Sequence, residues 1–165
     1  MNDDLTPDTT HSTEIDHGHA EYSVEELLEQ CQGNAASLLL ATLSVLAEQG
    51  MSVDAWAAGV AQVFARSWER EELWTAGEYL DALLTNFRSL GATVAAANLG
   101  ETEATASIEN YPDDELARML GVDPAFGEAM FHVGVHLAGL LGLRLRWRRE
   151  GVRVDLDVVA ASGDE

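Results

Sequence analysis

Between Leu143 and Val158 charged and apolar residues alternate around the dipeptide Glu150-Gly151. Few backbone conformations satisfy such a pattern. Alternation with a period of two sends successive side chains to opposite faces of a strand, and a glycine at the bend suits a two-residue hairpin turn. The pattern predicts a β-hairpin whose turn is Glu150-Gly151, so that Arg149 faces Val152. In that register Arg146 lies opposite Asp155 and Arg144 opposite Asp157. On the other face Trp147 meets Val154, Leu145 meets Leu156 and Leu143 meets Val158. A slip of one residue would break both sets at once. Arg148 and Arg153 are left as a like-charge pair, and they are the two residues expected to touch an anion or an acidic partner.

Five of the nine cationic side chains fall within residues 144–153, and the chain contains no lysine. The remainder is strongly acidic, giving a net charge of −20. A surface of that sign repels nucleic acid and anionic membranes, which need Lys and Arg to neutralise phosphate. At 165 residues and 47% apolar composition, one domain with a substantial core is expected. Cys31 is the only cysteine, so no internal disulfide forms and a cytoplasmic setting is expected. No segment reads as a secretory signal. The longest apolar run, Ala35 to Ala47, is too short to span a bilayer.

Residues 1–22 carry acids, no Lys or Arg and no periodicity, and are expected to be a disordered acidic tail. Residues 161–165 read as a flexible C-terminus. The single domain between them, 23–160, opens with helical punctuation. Ser23 with Glu26 and Thr75 with Glu78 form capping boxes, Asn34 and Ser52 are N-caps, and Gly33, Gly50 and Gly91 are stops. Four helices are expected: from Ser23 to Gly33, Asn34 to Gly50, Ser52 to about Leu73, and Thr75 to Gly91. Residues 92–111 then switch to period two with Gly100 at the bend. This predicts a hairpin whose inner face is Thr102, Ala104, Ala106 and Ile108. Asp113 to Glu115 start a short helix. Asp123-Pro124 starts a longer one running to about Leu141, apolar on most sides and containing Gly127, Gly134 and Gly139. Glycine inside a helix costs roughly 1 kcal/mol relative to alanine, and close packing or a ligand would offset it. The fold class is therefore α+β: N-terminal helices, then two antiparallel hairpins flanking two helices, with the sheet packed on a central apolar helix.

Two sets of residues carry candidate chemistry. Glu128, His132 and His136 recur every four residues on one side of the long helix, where two imidazoles and a carboxylate are a candidate divalent-metal set. Val133 and Gly134 after His132 exclude the His-Glu-x-x-His protease motif. Trp56, Val60, Phe64 and Trp68 also recur every four residues. With Met130, Phe131 and His132 of the long helix, Trp56, Phe64 and Trp68 are the expected wall of an apolar ligand site. His11, His17 and His19 lie in the tail without fixed geometry, and Glu69, Arg70, Glu71 and Glu72 read as a solvated helix end. No phosphate-binding glycine loop, Gly-x-Ser-x-Gly elbow or Cys-x-x-Cys pair is present.

From about Thr75 to Val159 the order helix, hairpin, helices, hairpin, with an apolar central helix, resembles a ligand-binding superfamily. Its members include vinyl-reductase-type domains, nitric-oxide-sensing haem domains and subunits of Golgi-transport (TRAPP) complexes. The resemblance implies a small-molecule pocket between helices and sheet and dimerisation through helices. It implies no haem ligand, because the Tyr-x-Ser-x-Arg signature is absent, and the cysteines common in the vinyl-reductase domains are missing after Cys31.

These readings converge on a module that binds a small apolar ligand or a protein partner without catalysis, as a homodimer, with no nucleic-acid partner and no membrane insertion. The alternative is a metal-assisted hydrolase or lyase using Glu128, His132 and His136. A third reading is an adaptor whose acidic surface docks a basic partner and releases it in salt.

Overall fold

The computed structural model describes residues 22–68 and 73–161. The tail histidines, the charged stretch 69–72 and residues 162–165 lie outside the described residues, as does the expected disordered tail apart from Tyr22. The elements are helices α1 (Val24–Glu48), α2 (Val53–Trp68) and α3 (Ala76–Ser89), and strands β1 (Thr93–Leu99) and β2 (Glu103–Glu109). Then follow α4 (Asp114–Met119), a 3-10 turn (Pro124–Glu128), α5 (Ala129–Leu140), β3 (Leu143–Glu150) and β4 (Arg153–Ala160). The four strands form one antiparallel sheet in the order β1-β2-β4-β3. The architecture is α+β, as the two changes of periodicity imply.

Both capping boxes form. The Glu26 amide donates to Ser23 Oγ and the Ser23 amide donates to the Glu26 carboxylate, and Thr75 and Glu78 repeat the exchange. The expected break at Gly33 does not occur, because α1 is one helix of 25 residues. A single glycine costs roughly 1 kcal/mol, which well-formed turns on both sides outweigh. Gln30 Nε2 also donates to Asn34 Oδ1 across the site at 2.8 Å, so Asn34 supports the helix from within. The true stop is Gly50, at φ +83°. The helix opened by Asp123 is also divided: its first turn is 3-10 and only Ala129–Leu140 is α-helical.

The inner face of the sheet is Ala104, Ala106 and Ile108 on β2, Val154, Leu156 and Val158 on β4, and Leu143 and Leu145 on β3, all buried. Thr102, expected among them, lies at the exposed bend. Helices α3 and α5 cover this face, and α2 packs on α5. Phe131 of α5, fully buried, is held by Phe87, Tyr111 and Trp147 at centroid distances of 4.8, 5.6 and 4.9 Å. The buried Tyr79 hydroxyl donates to the Gly134 carbonyl at 2.6 Å, joining α3 to α5, and burial pushes its pKa above the usual phenol range. Gly134 justifies its cost: a Cβ there would stand 2.9 Å from Leu145 Cδ2. Gly139 has open space at the same position, so packing gives no reason for it.

The second hairpin turns at Gly151-Val152, one residue later than expected. Glu150 faces Arg153, Arg148 faces Asp155, Arg146 faces Asp157, Trp147 faces Leu156 and Leu145 faces Val158. The displaced turn moves every partner by two, so each side chain keeps its face while the pairing changes. The cause is backbone stereochemistry. Turns that match strand twist need φ > 0 at their first central residue. Gly151, at φ +61°, takes that place without the strain Glu150 would meet there. The observed register also removes the one like-charge row of the expected pairing.

Candidate functional site

An apolar groove of about 410 Å³ lies where the end of α1 meets α2. Leu46 and Met51 line one side. Ala55, Trp56, Gly59, Val60, Val63 and Phe64 of α2 line the other. None of these side chains is charged, in a chain of net charge −20. The volume falls within the range of small-molecule sites, about 300–1,000 Å³. The i, i+4 spacing of Trp56, Val60 and Phe64 places them along one flank of α2. Gly59 sits among them with nothing within 4 Å of where its Cβ would be, which leaves the middle of the groove open.

The six residues expected to form one ligand wall separate into three places. Trp56 and Phe64 line the groove. Trp68 stacks on Trp74 at 5.1 Å and meets Tyr79 edge-on at 5.7 Å, while Trp74 Nε1 donates to the Trp68 carbonyl. Phe131 is in the core, Met130 packs half-buried against the core, and His132 meets the Trp147 indole edge-on at 5.8 Å. The α5 side of the expected wall is therefore core packing, and the residues that complete the groove, Leu46 and Met51, come from the α1 end. A sequence stripe shows which residues share a helix face but not which element lies across from it.

Glu128, His132 and His136 do not converge. Glu128 accepts from Arg149 Nη1 at 3.3 Å, His132 rests on Trp147, and His136 Nε2 lies 2.8 Å from Asp54 Oδ1 on α2. Among the described residues no group of three or more His, Cys, Asp or Glu side chains is placed to hold a metal ion. At 1.5 Å per residue, positions eight apart on a helix are separated by about 12 Å, whereas ligand atoms must approach one ion to about 2 Å. The 3-10 turn ending at Glu128 has three residues per turn and breaks the α-helical phase. The pattern that suggested a divalent metal instead spaces three separate contacts.

On the charged outer face of the sheet, Ser107, Arg148, Glu150, Arg153 and Asp155 form one paired group. Arg153 Nε donates to Asp155 Oδ1 at 2.8 Å and Arg153 Nη2 to Ser107 Oγ at 2.6 Å, and the Ser107 hydroxyl donates to Asp155 Oδ1. Arg148 reaches Glu150 at 3.1 Å and Asp155 at 3.8 Å. Arg148 and Arg153, left as a like-charge pair in the expected register, thus both carry carboxylate partners. The Ser107 hydrogen bond and then Arg153 hold the Asp155 carboxyl below its ordinary range, and Asp155 raises the Arg153 pKa. A depressed carboxylate pKa contributes stability that is complete above the unfolded-state value, 3.8, and is lost as pH falls through the folded-state value. Asp155→Asn should therefore melt below wild type at pH 6, and the gap should close below pH 3.8. Thermal melts across that window check it, and a gap unchanged by acid would remove the ionic explanation.

Arg149 was not singled out by the sequence and is the best-buried guanidinium of the hairpin, with 19% of its side chain exposed. It follows Leu143, Leu145 and Trp147 in the inward phase, and an inward arginine requires carboxylates beneath it. They are Asp114 at 2.7 Å and Glu128 at 3.3 Å, and Nε donates to the Gly151 carbonyl. The bond to Asp114 is the largest influence raising its pKa. This contact fastens α4 and the 3-10 turn to the tip of the second hairpin.

Cys31 is a free thiol on the exposed side of α1. No helix among the described residues is long and apolar enough to cross a membrane. No protein-family model matches the chain, and no curated protein matches it in sequence.

Proposed function

We propose that this protein is a non-catalytic, cytoplasmic α+β binding module that takes a small apolar ligand in the groove between the α1 end and α2, and that it acts as a homodimer. The observation that carries the reading is the groove itself. It is an open, uncharged apolar groove lined by an indole and a phenyl ring, within an otherwise strongly acidic chain. Aromatic side chains give apolar ligands large contact area, and the chain's net charge of −20 disfavours anionic competitors. The resemblance of the element order after Thr75 to the vinyl-reductase, nitric-oxide-sensing and TRAPP-like superfamily is part of this proposal. Because the groove lies between two helices and not against the sheet, that likeness supports the helix-mediated dimer and not the ligand site.

Nile red, a neutral apolar fluorophore, tests the ligand reading. Wild type should bind it saturably, one per chain, with quenching of tryptophan emission. Gly59→Leu fills the groove at a position with free space and should weaken binding at least tenfold. It should also raise stability by about 0.5–1 kcal/mol through helix propensity. No saturable response in wild type, or unchanged affinity in Gly59→Leu, would sink the reading.

A further inference from the structure

The sheet ends in an open edge that carries positive charge. β3 is the outermost strand on its side of the sheet and pairs only with β4. None of its backbone groups bonds to any other described segment, so one row of amides and carbonyls stays free for a further strand. Arg144, Arg146 and Arg148 alternate along its outer face and are exposed. Arg148 is engaged with Glu150 and Asp155. Among the described residues Arg144 and Arg146 have neither an ion pair nor a side-chain hydrogen bond, although Asp157 stands opposite Arg146 in the ladder. The residues open to an anionic group are therefore these two, and not Arg148 and Arg153. The other described arginines outside the hairpin, Arg66, Arg88 and Arg118, stand singly on three helices.

We infer that this edge is the docking site of the chain's own acidic N-terminal segment, with residues 13–16 adding to β3 as a fifth strand. Charge complementarity selects the occupant. Residues 1–21, outside the described residues, carry six acids and no Lys or Arg. Side chains on one face of a strand recur every second residue, about 6.8 Å apart. A partner for Arg144 and Arg146 therefore needs two carboxylates at i and i+2. Glu14 and Asp16 are the only such pair in residues 1–21. Ile15 between them turns to the other face, beside the buried Leu145 on the apolar side of the sheet. Thr13 and Ile15 are β-branched and suit a strand. Placing Ile15 opposite Leu145 sets the two acids opposite the two arginines in either strand direction.

The tether is what favours this segment over a separate acidic chain. Exposed ion pairs are individually weak, and a free acidic peptide meets the net charge of −20 without compensation. A segment joined to the domain binds at a high effective concentration. Asp16 lies six residues before Tyr22, a reach of up to about 20 Å. Helix α1, which follows Tyr22, packs against α4 and the 3-10 turn, and Arg149 of β3 binds those same two elements through Asp114 and Glu128. Once docked, the added strand closes the edge against pairing with other chains, and salt releases it. The groove between α1 and α2 takes no part, so the inference stands apart from the proposed ligand site.

Amide hydrogen exchange of the full chain, read residue by residue by NMR, tests the docking. In about 50 mM NaCl the amides of residues 13–16 should exchange about tenfold more slowly than in a synthetic peptide of residues 8–20, and about 1 M NaCl should remove that protection. Glu14→Arg with Asp16→Arg should abolish it, and so should Arg144→Glu with Arg146→Asp, whose exposed sites leave the circular dichroism spectrum unchanged. All four substitutions together should restore it, because the exchanged charges pair again. Peptide-like exchange of wild type at low salt sinks the proposal. Protection that persists in Arg144→Glu with Arg146→Asp places the segment on another surface and overturns this one. A fourfold variant that stays unprotected removes the pairing of these residues. Protection that grows as the chain is raised from about 10 to about 200 µM assigns the segment to the edge of a second copy and overturns docking within one chain.

Discussion

Gly77→Ala is expected to lower stability by about 2–3 kcal/mol, although alanine in place of glycine within a helix ordinarily stabilises by up to about 1 kcal/mol. The reversal comes from what lies against the first turn of α3. A Cβ on Gly77 would stand 2.8 Å from the Leu99 carbonyl oxygen and 2.9 Å from that of Gly100. Both are backbone atoms at the bend of the first hairpin, and the Ala76 amide donates to the Glu101 carbonyl at the same place, 2.9 Å away. A flexible side-chain end would yield to the new methyl. A hairpin bend held by the β1–β2 ladder on one side and by Ala76 on the other cannot yield without loosening one of them. Gly59→Ala is the matched control: it also lies inside a helix but has no neighbour within 4 Å, so the ordinary gain should appear. Urea unfolding of the two variants reads the difference directly. A Gly77→Ala protein as stable as wild type would show that the hairpin bend does not press on α3.

The two sites also mark how far local sequence carries the fold. The capping boxes at Ser23 and Thr75 and the alternation along β2, β3 and β4 were legible because each depends only on neighbours in the chain. Ala104, Ala106, Ile108, Val154, Leu156 and Val158 occupy the buried face that alternation assigns them. Gly33 misled because a roughly 1 kcal/mol local preference is small beside a helix that gains from two dozen other residues. The hairpin turn differs from the expected one by one residue because the positive φ falls on the first central position of the turn, which alternation of charge does not report. That stereochemical demand, met by Gly151, decides the matter. The site was legible by half. Trp56 and Phe64 share a helix flank and do line the groove, but Leu46 and Met51 reach it only through tertiary placement. His132 and His136 lie on α5 and Glu128 in the 3-10 turn before it, and the three share no partner. Periodicity reports direction, and only packing reports what stands in that direction.

Arg149→Met should destabilise the protein by about 2–3 kcal/mol, below the roughly 3–5 kcal/mol of breaking a fully buried ion pair because its carboxylate partners keep some contact with water. Methionine preserves the aliphatic stem, so lost packing is a minor part of the effect. What is lost is the fork that serves Asp114, Glu128 and the Gly151 carbonyl together. Its removal leaves two nearby carboxylates facing each other without a cation. Asp114 Oδ1 is already buried without a hydrogen-bond partner among the described residues, so Asp114 has no second interaction to fall back on. Arg149→Lys should recover only part of the loss, since a single ammonium cannot present donors to all three acceptors in a planar fork. Adding Asp114→Asn and Glu128→Gln to Arg149→Met should restore most of it, because the repulsion disappears with the charges. Chemical denaturation of the single, lysine and triple variants separates these contributions. If the triple variant were as unstable as Arg149→Met, the loss would belong to the stem's packing, and the ionic fastening of α4 and the 3-10 turn to the hairpin would not be what holds them.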